Sequence, residues 1–364
     1  MSSTVSISLS NKTETSERKV RESNIELLRI LTICGVVILH YNGTQAFSFV
    51  NENSLNYYFL LILEGLCICA VNLFVLISGY FLSTNGKRRI IKAVELIVQV
   101  MVINLGVYLF SSVVSGGGIT VSGTLYSLIP NNYFVAFYVT LYLISPYINI
   151  LLSHLSDKQF GIFVGLSLLL FSFWPTFIDS VCLKSGVAYP GIYTTNTAGS
   201  QYGYSIINFA LMYLIGAYLK RKNFDFSLSK LITVLVALVA VLTVWQLLQP
   251  QIARAYCNPL VICCAVVIFL IFKGIKVKSK IINTLAKGAF TCFLLRGMFL
   301  PHIRIASVVN KNLFILILHI SLTVPLIFLI CFCCWWVYNK ATAPLFKMLG
   351  KKLAFIDSII SLQE

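Results

Sequence analysis

Ten apolar runs separated by short, mostly basic connectors make up most of this chain, and they constrain its fold more than any other feature. They cover about 25–46, 57–82, 90–113, 133–153, 160–178, 205–221, 229–248, 256–273, 281–300 and 313–338. Each is near the roughly twenty residues that a helix needs to cross the hydrocarbon core of a bilayer, the ninth being weak and the sixth short. Composition points the same way: 58% of the 364 residues are hydrophobic, 11% are charged and mean hydropathy is +0.87. A soluble domain has about a quarter of its residues charged. The pattern predicts an all-α integral membrane protein, a bundle of about ten transmembrane helices.

The net charge of +16 would suit a nucleic-acid partner only if it were concentrated in a patch. Here the basic residues are scattered in short clusters between apolar runs, which is how cytoplasmic loops are marked, so no nucleic acid is expected. Arg18-Lys19-Val20-Arg21, Lys87-Arg88-Arg89, Lys220-Arg221-Lys222, Lys273 to Lys280 and Lys347 to Lys352 all fall on one side of a ten-span count. That side is cytoplasmic by the positive-inside rule, and both termini lie there. Residues 1–20, rich in Ser and Thr without an apolar run, read as a disordered cytoplasmic tail and not a signal peptide. The transmembrane domain then spans 21–340, and 341–364 form a cytoplasmic C-terminal segment. The largest outer loops are 114–132 and 179–204. Most of the eleven cysteines (Cys34, Cys67, Cys69, Cys263, Cys264, Cys331, Cys333 and Cys334 among them) sit inside apolar runs without metal-ligand spacing. They read as small buried hydrophobes, and no metal is expected.

Against so apolar a background the ionisable residues within spans stand out, because such groups usually face a cavity or a partner. The first span carries Glu26, Arg29 and His40. Arg29 and His40 are separated by roughly three helical turns, so they share a face roughly 16 Å apart along the axis. Helix rise puts His40 roughly 22 Å above the inner end of its span and Glu64, on the descending second span, roughly 10 Å below the outer surface. In a hydrocarbon core roughly 30 Å thick, the two share a layer. A carboxylate beside an imidazole fixes its tautomer and raises its basicity, as a general base for a hydroxyl requires. The alternative is a polar pair that merely ties two helices together. Arg296 and His319 fall in the same outer layer, and Arg296 is placed either to stabilise an oxyanion or only to reach the interface.

On the inner side Glu26 and Arg29 are neighbours on one helix face. Arg29, Lys87, Arg88, Arg89 and Lys92 meet at that surface, which suits a phosphorylated cofactor held by charge-assisted hydrogen bonds. Plain topological dressing explains such a cluster equally well. No Gly-rich phosphate loop, metal motif or nucleophile elbow is present.

The run Asn24-Ile-Glu26-Leu-Leu-Arg29 to His40, followed by Val71-Asn72-Leu-Phe-Val-Leu-Ile-Ser78-Gly79-Tyr80-Phe-Leu, resembles the membrane acyltransferase-3 family. So does Tyr133-Phe-Val-Ala-Phe-Tyr138-Val-Thr-Leu-Tyr142-Leu-Ile-Ser145-Pro146, an aromatic span ending in Ser-Pro. These are multi-span bacterial enzymes that O-acylate cell-surface carbohydrates. The resemblance implies acyl-CoA, usually acetyl-CoA, as donor and co-substrate, and Arg29 and His40 as the essential pair. Arg89 and Lys92 stand where the family often has two arginines. Phe293-Leu-Leu-Arg296 stands where it often has Tyr-Leu-Ile-His. Together these give an expected multi-pass O-acetyltransferase of the bacterial cell membrane. His40, Glu64 and Arg296 are its catalytic candidates, and Arg29, Arg88, Arg89 and Lys92 its donor-binding candidates. Glu26, Asn72, Ser78, Gly79 and Tyr138 carry the motifs. The acceptor is a carbohydrate of the cell envelope, a capsule, an exopolysaccharide or a lipid-linked precursor, with association to polysaccharide-assembly proteins possible. The rival from another class is a transporter or flippase of a lipid-linked glycan, in which the same buried charges line a translocation path.

Overall fold

A computed structural model describes residues 22–84, 86–185 and 201–360, and every regular element among them is helical. The expected N-terminal tail lies outside the described residues, as does the central part of the loop 179–204. The principal helices are α1 (Ser23–Tyr41), α2 (Leu55–Leu82), α3 (Ile90–Val114), α4 (Tyr133–His154) and α5 (Asp157–Cys182). They continue with α6 (Ile206–Lys222), α7 (Leu228–Leu248), α8 (Pro259–Gly274), α9 (Ala289–Phe299) and α10 (Leu313–Lys352).

Seven of these, α1 to α5, α7 and α10, are long and apolar enough to cross a membrane. The other three fall short. Helix α6 has 17 residues and ends in Lys220, Arg221 and Lys222, and α8, though apolar, has 16. The ninth expected run is broken: Lys280–Leu285, a tight turn at Ala286–Gly288, the 11 residues of α9, and a second tight turn at Leu300–His302. At the C-terminal end α10 runs for 40 residues to Lys352, and the following helix, Ala354–Ile360, turns back. There the Asp357 carboxylate accepts from the Ile90 backbone N–H at 2.7 Å, capping the start of α3.

Local sequence explains where most helices begin. Side-chain oxygens of Ser54, Asn132, Ser156, Ser205, Asn258 and Asn312 each accept from a backbone N–H of the first turn, satisfying donors the helix leaves orphaned. Ser156 does so in a reciprocal capping box with Gln159. Helix α6 stops at Asn223, which is left-handed (φ 47°), with three basic residues in its last turn facing the negative end of the dipole.

Helices α1 and α2 form the centre. In its most apolar window α2 is 72% buried, against 17% for α3 and for α7, whose outward faces carry apolar side chains toward lipid. The tightest pairing joins the Ala70–Leu82 half of α2 to α6. Gly79 and Gly216 make it possible: a Cβ at Gly79 would overlap the Tyr213 backbone, and one at Gly216 the Leu76 carbonyl. Close backbone approach at small residues is how helices pack where lipid is as apolar as the side chains. Asn72 completes the joint, donating to the Tyr256 carbonyl at 2.8 Å while its own oxygen accepts from Asn208 at 3.0 Å.

Candidate active site

Helix α1 carries the site along one face. Near its start the Arg29 guanidinium donates to the buried Glu26 carboxylate at 2.9 Å, and both lie one turn apart as their spacing requires. Arg29 also lines a cavity of about 270 Å³ bounded by α2, α4, α9 and the turn before α9. Its walls are mostly apolar, with Phe74, Phe134, Phe290 and Phe293 prominent. Its polar groups are Arg29, Ser78, Tyr138 and Lys287. The Ser78 and Tyr138 hydroxyls are 3.2 Å apart, and Phe134 stacks on Tyr138. The motif Ser78-Gly79 is thereby explained: glycine meets α6 and serine faces the cavity.

The far wall leads to the second ionic group. The Arg296 guanidinium carbon lies 4.4 Å from the centroid of the Phe293 ring, a cation–π contact, and Nη2 is 2.6 Å from His40 Nε2. A guanidinium has donors only, so His40 Nε2 accepts and its ring is the neutral tautomer protonated on Nδ1. Arg296 has no carboxylate within ion-pair distance among the described residues, and its Nε is buried without a hydrogen-bond partner there. A cation held on an aromatic ring beside an imidazole, with a donor to spare, is suited to stabilise developing negative charge. It occupies the place where the resemblance leads one to expect a second histidine.

The expected partnership of His40 with Glu64 is not the one the structure makes. Asn42 donates to Glu64 Oε2 at 2.8 Å, and the nearest cation to the carboxylate is Arg254 at 3.9 Å. Glu64 is reached from two residues beyond His40, so the expected pairing fails by rotation about α1. Positions 40 and 42 point about 200° apart around a helix, so when Asn42 turns toward α2, His40 turns away from it toward α9. Asn42 opens a wide turn, Asn42–Ala46, that continues α1. Its place two residues beyond His40 was the available signal. His319, also expected in this layer, meets the Tyr41 hydroxyl at 2.9 Å through Nδ1 and joins α10 to α1.

The basic cluster around Lys87 to Lys92 divides. Arg88 is 1% exposed and is committed to the protein: Nε donates to Ser145 Oγ at 2.8 Å and Nη2 to the Leu82 carbonyl at 3.1 Å. Pro146 removes the N–H that would have bonded to the Tyr142 carbonyl, and the Ser145 hydroxyl takes its place at 2.7 Å. The Ser-Pro pair thus creates the acceptor that anchors Arg88 and closes the loop after α2. Burial excludes Arg88 from an open phosphate site. Arg89 and Lys92 are exposed, with the Arg89 backbone held by the Tyr142 hydroxyl at 3.0 Å.

At the end of the bundle occupied by His40, Tyr133, Tyr204 and Tyr256 form an aromatic cluster. Tyr204 lies between the others, with ring centroids 5.2 and 4.7 Å away. A larger recess of about 780 Å³ lies between α3 and α9, lined by Tyr108, Tyr126, Asn131, His302 and Gly297, the residue that follows Arg296. The sequence reading missed the tyrosine cluster, because its members come from three distant segments.

Fold and site define a multi-pass helical membrane protein with a hydrogen-bonded Arg296–His40 pair behind the Phe293 wall of a cavity between its helices. The sequence matches the family model described as an acyltransferase domain over residues 22–339, nearly the whole described chain. The protein belongs to the acyltransferase-3 family and is a membrane acyltransferase. No curated protein and no solved structure matches it.

Proposed function

We propose that this acyltransferase moves an acetyl group from acetyl-CoA to a hydroxyl of an envelope polysaccharide or its lipid-linked precursor. The observation that carries the reading is the cavity itself, which begins at Arg29 and ends at Phe293, the ring on which Arg296 is held against His40. An anionic head group at Arg29, a mostly apolar cavity and the Arg296–His40 pair behind its Phe293 wall suit an acyl thioester on a long arm. Arg89 and Lys92, exposed near the start of α3, are placed to meet outlying phosphates.

The acceptor hydroxyl approaches from the His40 end, past the tyrosine cluster, whose ring faces suit a sugar. His40 Nε2 takes the hydroxyl proton as the oxygen attacks the thioester carbonyl, and Arg296 moves from Nε2 onto the oxyanion. The new C–O bond forms, the C–S bond breaks, and the proton passes to the departing CoA thiolate. In this arrangement seven full-length helices and three shorter or broken segments traverse the bacterial cell membrane, with both termini and Arg29 on the cytoplasmic side. That side holds the basic clusters and the CoA pool.

Purified protein given acetyl-CoA and envelope glycan is expected to release free CoA with no second compartment present. Movement of unmodified glycan across vesicles without CoA release would replace this reading with a flippase. A C-terminal reporter active outside the cell would refute the topology.

A further inference from the structure

Lys287 took no part in the sequence reading, yet it faces the donor cavity beside Arg29. It sits in the turn Ala286–Gly288 that breaks the ninth apolar run. Its neighbours Ala286, Gly288 and Ala289 are buried, while Lys287 is exposed. Gly288 sets that geometry, since a Cβ there would lie 2.8 Å from the Phe332 ring of α10. With the turn pressed against α10 on one side, its long side chain is left to the cavity.

The charges in the cavity are unequal. Arg29 already shares its guanidinium with Glu26, so that pair is close to neutral. Lys287 makes no hydrogen bond or ion pair among the described residues, and the cavity wall holds no carboxylate. We propose that Lys287 is a phosphate-binding residue of the donor site, the uncompensated cation that, together with Arg29, selects a phosphorylated thioester over an uncharged one. The inference rests on the acyl-CoA reading above and adds to it the residue that recognises the nucleotide end of the donor. A compact ammonium with three donors suits non-bridging phosphate oxygens approached from several directions.

The test is equilibrium binding to the purified full-length protein in detergent with two probes, acetyl-CoA and S-acetylpantetheine, which lacks the nucleotide and its phosphates. Lys287→Ala is expected to weaken acetyl-CoA binding by about tenfold or more, the value of one charge-assisted contact, and to leave S-acetylpantetheine binding unchanged. Lys287→Arg should restore acetyl-CoA binding. Native acetyl-CoA affinity in Lys287→Ala would overturn the proposal, as would an equal loss for both probes, which marks a structural role. Loss in Arg29→Ala alone would keep the donor site and remove Lys287 from it. If the wild-type protein bound neither probe, the acyl-CoA reading itself would fall.

Discussion

Arg296 Nη2 lies 2.6 Å from His40 Nε2, joining the C-terminal end of α1 to α9 across 256 positions of sequence. The contact sets the imidazole tautomer, and in the proposed reaction the same guanidinium turns to the oxyanion. Arg296→Ala should therefore lower kcat by about 10²–10³-fold, the usual cost of one oxyanion donor, with acetyl-CoA affinity preserved. Steady-state kinetics with a separate donor-binding assay distinguish this from a folding defect. An Arg296→Ala enzyme of normal kcat would make the residue an interfacial contact.

Glu64 is expected to matter for stability more than for turnover. Its bond is to Asn42, not to His40, and a buried carboxylate deprived of its donor costs about 1–3 kcal/mol. Asn42→Ala should lower the thermal midpoint in detergent. In Glu64→Gln the amide oxygen still accepts from Asn42, so kcat should stay close to wild type. A steep fall in kcat with an unchanged melting profile would restore Glu64 to the proton-transfer step.

Arg88→Ala should act on folding. It strips the donor from the Ser145 hydroxyl in a buried joint, at about 1–3 kcal/mol, while the Leu82 carbonyl keeps its bond from Asn149 at 2.8 Å. Reduced yield and a lower melting midpoint are expected, with the surviving folded protein binding acetyl-CoA normally. Selective loss of acetyl-CoA affinity in a protein of native stability would return Arg88 to the donor site.

Gly79→Ala tests the α2–α6 joint. The added methyl would overlap the Tyr213 backbone, which cannot move as a side-chain end can. Overpacking of this kind costs about 1–3 kcal/mol or more, so the variant should melt earlier than Gly106→Ala, where a Cβ meets nothing within 4 Å. Equal melting of the two variants would contradict the packing.

Apolar run length made most of the helices legible, since lipid forces backbone bonds to close within each segment. It failed at 281–300, where tight turns at Ala286–Gly288 and Leu300–His302 break the run and Gly288 packs against Phe332, a contact invisible in a linear count. The face shared by Arg29 and His40 was readable because both lie on one helix. For Glu64 the helix rise led to within two residues of its partner, but rotation was not readable, and the pairing goes to Asn42 instead. The run Lys87-Arg88-Arg89 looks uniform, and contacts invisible in a linear count, Ser145 57 positions away and the Tyr142 ring among them, mark which of the three is buried.

The central claim is that His40 moves the proton during acyl transfer, with Arg296 beside it. Its most direct test is transfer of radiolabelled acetyl from acetyl-CoA to envelope glycan in inside-out membrane vesicles, comparing wild-type protein with His40→Ala at matched, folded levels. Loss of general-base catalysis is worth about 10²–10⁴-fold, so His40→Ala should incorporate label at least about 10²-fold more slowly while still binding acetyl-CoA. Incorporation by His40→Ala at the wild-type rate would contradict the account.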